Sequence, residues 1–336
     1  MPYYRPIPRT DPARPTGALT LAGGWCWFDT VEVLDRGAPS SLMPASDLPA
    51  DALHHLTTPR APIASLDMAT PQIMGILNVT PDSFSDGGRH FDPEIALAHA
   101  RQMAADGASI LDVGGESTRP GAAPVPIEDE IARTAPVIAA LRAGLTTPIS
   151  IDTRKTPVAS AAHAAGANLI NDVAGFTYDA ALAPFAATHA LPVCVMHAQG
   201  TPETMQADPR YDTVLLDVYD WLAARIEALI ALGIPRTQII TDPGIGFGKT
   251  VAHNLTLLQN LSLFHSLGCP ILLGASRKRF IGDISRTPVA ADRVPGSIAV
   301  ALGGLAQGVQ ILRVHDVAAT RAAFDLWRAT LSAPRF

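Results

Sequence analysis

From Gln72 onward the chain repeats one pattern eight times: a short β-branched or Leu-rich run, then an Ala-rich amphipathic stretch. The apolar runs are Ile73–Val79, Ile110–Val113, Ile149–Ile151, Leu169–Val173, Val193–Met196, Ile239–Thr241, Ile271–Leu273 and Ile311–Val314. Apolar residues recur at helical spacing in Ile95–Ala105, Glu128–Ala143, Thr156–Ala165, Ala180–His189, Thr213–Leu232, Val251–Leu267, Ala291–Gln307 and Val317–Leu331. Short runs with no polar alternation are strands covered on both faces, as in a parallel sheet with crossover helices. Eight such units in the 265 residues from Gln72 predict an α/β fold, a (β/α)8 TIM barrel, whose usual size is about 250 residues. An open doubly wound sheet is the rival, because periodicity does not show closure.

Residues 1–71 have a different texture. They hold 11 of the 29 prolines and no steady period, apart from a strand pair expected around Trp25–Phe28 and Val31–Val33. We read 1–71 as an irregular Pro-rich N-terminal extension packed on the main body or its partner, and 72–336 as the barrel. Arg5, Arg9 and Arg14 precede an apolar patch at Ala18–Ala22, but no Ala-x-Ala site follows, which argues against a signal peptide. The net charge of −6 makes nucleic acid and anionic membrane surfaces poor partners. The longest apolar run, Ser297–Ala306, contains Gly303 and Gly304 and falls short of the roughly 18 residues of a membrane span. Cys26, Cys194 and Cys269 are odd in number and far apart, and read as reduced thiols of a cytoplasmic protein.

Polar residues gather where the apolar runs end, the position of function in a parallel barrel. Strand parity puts Arg313 with His315, Ser150 with Asp152, Leu169 with Asn171, and Cys194 with Met196. If the polar members point inward, Asp152, Asn171, Asp242, Arg313 and His315 converge at one mouth. Each alone has a bland reading: a strand-end Asp is often the N-cap of the next helix. Coincidence over seven strands points instead to a site. Asp152, Asp242 and Asn171 suit a ligand rich in N–H donors, such as an aminopyrimidinone ring. Arg313, His315, Thr118 and Arg119 suit phosphate or diphosphate, and Lys278 could serve either pole. Asn78 could ligate a Mg²⁺ held mainly by substrate phosphates and water. Gly244–Thr250 imitates a phosphate loop, but Pro243 occupies the first Walker glycine, so its glycines read as a close backbone approach to a flat ligand, with Phe247 beside it. His197 and His253 lack partners at zinc-ligand spacing.

These residues match a known pattern. The run Met74 to Gly88, which includes Asn78-Val79-Thr80-Pro81-Asp82-Ser83-Phe84, resembles the dihydropteroate synthase family. So do Asp112–Gly121, Ile151–Thr153, Ile170–Asp172, Thr241–Lys249, Ser276–Lys278 and Arg313–Asp316, in family order from Gln72 to near the C-terminus. The resemblance implies a pterin-binding TIM barrel of folate biosynthesis. Its reaction joins 6-hydroxymethyl-7,8-dihydropterin diphosphate to 4-aminobenzoate, giving 7,8-dihydropteroate and diphosphate. Carried over by position, Asp152, Asn171, Asp242 and Lys278 would hold the pterin, with Met196 against its ring. Asn78 would sit on Mg²⁺, and Thr118, Arg119, Arg313 and His315 on the diphosphate. Phe84, Pro120, Phe247 and Ser276 would shape the aminobenzoate pocket.

The family is taken to cleave the C–O bond first, leaving a pterin-stabilised cation. Arg313, His315, Lys278 and Asp152 are therefore the expected catalytic residues. A homodimer is the family's usual state, with Ile298–Gly308 and the last helix as candidate surfaces. Two rivals are a methyltetrahydrofolate:corrinoid methyltransferase, which has no use for a diphosphate pole, and a catalytically silent pterin-binding paralogue.

Overall fold

The computed structural model describes residues 2–80, 93–117, 122–200 and 204–331. Ahead of the barrel lie β1 (Tyr3–Pro6), β2 (Leu19–Thr20), β3 (Trp27–Phe28), β4 (Thr30–Asp35), β5 (Ala38–Pro44) and the helix α1 (Ala50–Thr57). They form an antiparallel sheet β1-β4-β5 and a separate β2-β3 ladder. The strand pair expected between Trp25–Phe28 and Val31–Val33 does not form. Trp27 and Phe28 pair with Leu19 and Thr20, while Val31–Val33 lie between β1 and β5. A tight hairpin over Asp29-Thr30 would need positive φ at a β-branched Thr, so the chain stays extended there.

The extension has its own small core of Leu21, Ala22, Cys26, Phe28, Val31 and Leu56. It is tied to the barrel by polar contacts. Trp25 Nε1 donates to Leu305 O at 2.8 Å, Ser262 Oγ to Pro6 O at 2.9 Å, and Arg36 bridges Asp217 and Asp220 at 2.7 Å each.

The eight runs after Gln72 form the strands β6 (Gln72–Asn78), β7 (Ile110–Gly114), β8 (Ile149–Asp152), β9 (Leu169–Asp172), β10 (Val193–Met196), β11 (Ile239–Asp242), β12 (Leu272–Leu273) and β13 (Ile311–Val314). Their order is β11-β10-β9-β8-β7-β6-β13-β12, all parallel. A parallel bridge between Thr241 and Ile271 joins the two ends of that order, with Thr241 N donating to Pro270 O at 2.9 Å. This is the near-closed (β/α)8 barrel expected, not an open sheet.

The outer ring is α2 (Pro93–Ala105), α3 (Ile127–Arg142), α4 (Thr156–Ala164), α5 (Leu182–Thr188), α6 (Val214–Ala231), α7 (Val251–Gln259), α8 (Arg279–Ser285), α9 (Val294–Leu305) and α10 (Val317–Leu331). Two departures from the periodic reading stand out. The stretch Val251–Leu267 breaks at Asn260 into α7 and a fully buried 3-10 helix, Leu261–Leu267, on which β1 rests. Helix α8 was not expected: Gly282 interrupts its period, but the Arg293 side chain occupies the space that a Cβ there would need.

Alternation along the strands sorts the barrel. Ile73, Leu77, Val113, Ile151, Ile170, Val195 and Leu312 pack outward under the helices. Met74, Ile110, Leu169, Cys194, Ile240, Leu272 and Ile311 form a separate buried cluster with Ile63 and Met68 of the extension. Ile63 and Leu66 exchange both backbone hydrogen bonds (3.1 and 2.8 Å) around Ala64 and Ser65, whose φ values are 48° and 67°. That tight turn inserts Ile63 into the barrel's lower end, so the extension completes the apolar interior beneath the mouth.

His265, in the 3-10 helix, is fully buried. Its Nε2 lies 2.9 Å from Gln307 O, which only accepts, so Nε2 carries the proton and Nδ1 is bare. Burial, then the Arg60 charge, pushes its pKa down to about 3. The unfolded chain therefore binds a proton below pH 6.5 that the folded chain refuses, and stability falls as pH falls. That loss should amount to about 1.4 kcal/mol per pH unit below the unfolded value. Urea denaturation at pH 7 and pH 5 should show the stability gap between wild type and His265→Gln narrowing in acid; a constant gap would contradict a buried neutral imidazole.

Candidate functional site

The same parity that sends Ile110, Leu169 and Ile311 into the barrel floor sends Asp112, Asn171 and Arg313 inward one pleat higher. Arg313 reaches across the mouth. Its Nε donates to Asp112 Oδ2 at 2.6 Å and its Nη2 to Asp152 Oδ2 at 2.7 Å. Asn171 Nδ2 also donates to Asp112 Oδ2, at 3.1 Å. Asp112 is fully buried, and among the described residues its Oδ1 has no hydrogen-bond partner. Burial opposes the charge on Arg313, but Asp112 and Asp152 outweigh it and hold the guanidinium above its ordinary pKa. Burial pushes the Asp152 carboxyl up; Arg313 pulls against that rise and Asp112 adds to it.

Asp242 closes the other side of the mouth, in register with Met196. Its Oδ1 accepts from Gly244 N at 2.7 Å, and burial raises its pKa against the pull of Lys278. Gly274 lies between Asp242 and Arg313: a Cβ there would touch both, 3.6 Å from Asp242 Oδ2 and 3.9 Å from the Arg313 side chain. Lys278 Nζ donates to Ile245 O and lies 4.5 Å from the Phe247 ring centre. Burial lowers its pKa to about 8, with Asp242 resisting. Ser276 Oγ accepts from His315 N at 3.2 Å and lies 3.1 Å from His315 Nδ1. Asn78 ends β6 beside Gly114, where a Cβ would meet Asp152 at 3.4 Å and Asn78 Oδ1 at 3.8 Å.

The structure thus brings Asp152, Asn171, Met196, Asp242, Lys278, Phe247, Ser276, Arg313, His315 and Asn78 to the C-terminal ends of the strands or the loops that follow them. Thr118, Arg119, Pro120 and Phe84 lie outside the described residues.

Sequence reasoning missed three groups. Asp112 shares parity with the floor residue Ile110, a signal that was available. Lys249 is buried in the Gly-rich loop and donates to His197 Nδ1 (2.9 Å), Phe247 O (3.0 Å) and His197 O (3.4 Å). It stitches the loop after β10 to the loop after β11, and burial with the Lys249 charge keeps His197 neutral, its pKa pushed down to about 2. Gly244 is required there, at φ +68°, because a Cβ would fall 1.8 Å from His197 O.

The third group is the network around Lys155. Its Nζ donates to Val125 O (2.6 Å), Glu130 Oε2 (2.7 Å) and Glu116 Oε1 (3.1 Å). Thr153 Oγ1 donates to Glu130 Oε1 at 2.7 Å, and Glu116 also accepts from Val125 N and Arg154. Burial opposes the Glu116 charge, but the Val125 N–H and Lys155 outweigh it and hold the carboxyl below its ordinary value. Among the described residues no three His, Cys, Asp or Glu side chains gather as a metal-ligand set.

A family model described as pterin binding enzyme matches residues 74–315, from the start of β6 to the rim histidine. The dihydropteroate synthase of Haemophilus influenzae is 47% identical over 268 residues, 80% of this chain and 97% of that one. The chain belongs to the dihydropteroate synthases, among the pterin-binding enzymes. Solved members agree with the barrel described above. Xanthomonas albilineans dihydropteroate synthase with 4-aminobenzoic acid superposes with a TM-score of 0.77 at 45% identity, covering 83% of this chain and 100% of that one. The same enzyme in complex with 7,8-dihydropteroate gives 0.73 at 42% identity, covering 80% and 97%.

In this synthase Lys155 neutralises two buried carboxylates. Removing the ammonium strands Glu130, while Glu116 keeps Arg154; leaving one buried carboxylate without its cation typically costs about 3–5 kcal/mol. Lys155→Met should lose that much in urea denaturation, and Lys155→Met with Glu130→Gln should regain part of it. A single variant as stable as wild type would show that the ion network contributes nothing.

Proposed function

We infer that the chain acts as a dihydropteroate synthase, a transferase of folate biosynthesis that joins 6-hydroxymethyl-7,8-dihydropterin diphosphate to 4-aminobenzoate. The observation that carries this reading is the mouth itself: Asp112, Asp152, Asp242 and Asn171 set inward over an apolar floor, with one guanidinium among them. Carboxylates and an amide in that arrangement accept from the ring N–H and amino groups of a pterin. The 4-aminobenzoic acid and 7,8-dihydropteroate of the Xanthomonas complexes are the amine and the product of the same reaction.

The bond that breaks joins the exocyclic methylene to the diphosphate oxygen, which keeps the electron pair. The bond that forms joins that methylene to the arylamine nitrogen, which then loses a proton. An arylamine is neutral at pH 7, so no strong base is needed. The transition state needs stabilisation of the leaving diphosphate, which preorganised donors supply. Arg313 has its aim fixed by Asp112 and Asp152, and His315 is held by Ser276; with Thr118 and Arg119 they would face the diphosphate. Asp152 would offset positive charge growing on the pterin, Lys278 and Met196 would hold the ring, and Phe84, Pro120, Phe247 and Ser276 would bound the aminobenzoate.

The amide oxygen of Asn78, 3.8 Å from where a Cβ of Gly114 would stand and on the same rim as Asp152, suits a Mg²⁺ ion by its chemistry. Asn78 would hold it, with diphosphate oxygens and water completing its shell, and it would supply charge neutralisation to the diphosphate. The described helices include none long and apolar enough to cross a membrane. All three cysteines are buried and unpaired, which supports a reducing, cytoplasmic setting. Exposed Leu326 on α10 and open space at Gly303 on α9 support a homodimer through that face.

The reading is tested by purified protein given dihydropterin diphosphate, with and without 4-aminobenzoate, and product identified by mass. Diphosphate release that depends on the amine and yields dihydropteroate is expected; tight pterin binding without product would favour a silent paralogue. Arg313→Ala should lose at least ~10²-fold in turnover, the scale of one preorganised donor. A loss under about threefold would remove Arg313 from the machinery. Asp152→Asn should weaken binding of the pterin diphosphate in calorimetry, and unchanged affinity would refute that contact.

A further inference from the structure

At the opposite end of the barrel from the mouth, the extension and the barrel enclose a cavity of about 200 Å³. It lies between the end of α1, the turn before β11 and the segment Gly268–Pro270 before β12. Its polar lining is cationic or neutral: His54, His55, Thr58, Arg60 and Arg236 contribute, and no carboxylate does.

Arg60 is the unusual member. It is only 8% exposed, yet among the described residues it pairs with no carboxylate. Its guanidinium donates to His55 O and His265 O at 2.8 Å each and to Thr58 O at 3.2 Å, while its Nε is buried without a hydrogen-bond partner. Carbonyl oxygens solvate a buried charge but do not neutralise it, and an uncompensated buried charge is costly. Arg236 stands close by. Its Nη1 donates to Leu267 O at 2.7 Å and its other arm reaches the exposed Glu227. His55 Nδ1 donates to Ser266 O at 3.0 Å, which fixes the tautomer. Gly268, at φ +77°, lets the two side chains converge: a Cβ there would meet Arg236 Cδ at 3.2 Å and His55 Cδ2 at 3.3 Å. The electrostatics agree with the geometry. Burial lowers the Arg60 pKa to about 10 and lowers that of His55, and in each case the neighbouring cations add to the fall.

We propose that this cavity binds a small phosphate-bearing anion, which bridges Arg60, His54 and His55 of the extension to Arg236 of the barrel. Thr58 Oγ1 and His54 Nδ1 bond each other at 3.2 Å, but Arg60 Nε has no acceptor among the described residues and the exposed Glu227 is the one carboxylate paired with either guanidinium, so a tetrahedral oxyanion supplies the charge and the acceptor this cluster lacks. The anion would also fasten the extension, and with it the Ile63 plug, to the base of the barrel.

Calorimetric titration of the full chain with inorganic phosphate, at constant ionic strength, tests this. One phosphate per chain should bind at this end of the barrel in Arg313→Ala as in the wild type, and any phosphate bound at the mouth is the part that Arg313→Ala removes. Affinity should fall at least ~10-fold in Arg236→Gln with His54→Ala, the scale of losing one charged hydrogen bond. Both of those side chains are partly exposed, so the double variant should fold and retain dihydropteroate synthesis. Glycerol 3-phosphate, titrated likewise, separates a site for free phosphate from one that admits its esters; binding of either supports the site. No bound phosphate, equal binding in wild type and double variant, or binding lost only in Arg313→Ala would each overturn the proposal.

Discussion

The guanidinium of Arg313, clamped between Asp112 and Asp152, is the interaction on which the site depends. It spans three neighbours in the barrel, since β13 meets β6, β6 meets β7, and β7 meets β8. Two carboxylates this deep are costly without a cation, and a cation this deep is costly without them. The cluster therefore also polices register. A slip of one residue in any of β7, β8 or β13 would turn its charged member toward the helices and strand the others.

The apolar lower half gives that cluster its strength. Charges interact more strongly where water is excluded, and the floor formed by Met74, Ile110, Leu169, Cys194, Ile240, Leu272 and Ile311 excludes it. The extension has a part in this, because Ile63 and Met68 complete the floor from below. Residues outside the matched family segment of 74–315 thus help set the polarity of the site.

Two buried lysines organise the rim. Lys155 gathers Glu116, Val125 and Glu130, so the two ends of the connection between β7 and α3 meet at one ammonium. Lys249 does the same for the connections after β10 and β11. Donors and acceptors held in this way need little rearrangement when substrates bind, which is what electrostatic catalysis requires.

Much of this was legible in the sequence. The eight alternations specify a parallel α/β fold because both-face burial removes polar residues from the strands, and Val193–Met196 and Ile311–Val314 have the expected bounds. Parity paired Asp152 with Ser150, Asn171 with Leu169 and Arg313 with His315, since a strand leaves each side chain only two directions; which face turned inward it left open. Residue types at the strand ends pointed to a nitrogen heterocycle and a phosphate, and motif likeness supplied the reaction. Tertiary structure decided the rest. Closure rests on the Thr241–Ile271 bridge, a contact between strands that no local pattern encodes. The roles of Lys155, Lys249 and Arg60 were invisible because a lysine or arginine in sequence reads as a solvated charge, and only packing shows which ones are buried and what they must neutralise. Within the extension, Trp27 chose Leu19 and Thr20 over its sequence neighbours because pairing follows the turns the backbone can make and the core that pairing buries. Sequence determined which residues could meet; distance across the barrel determined which of them do.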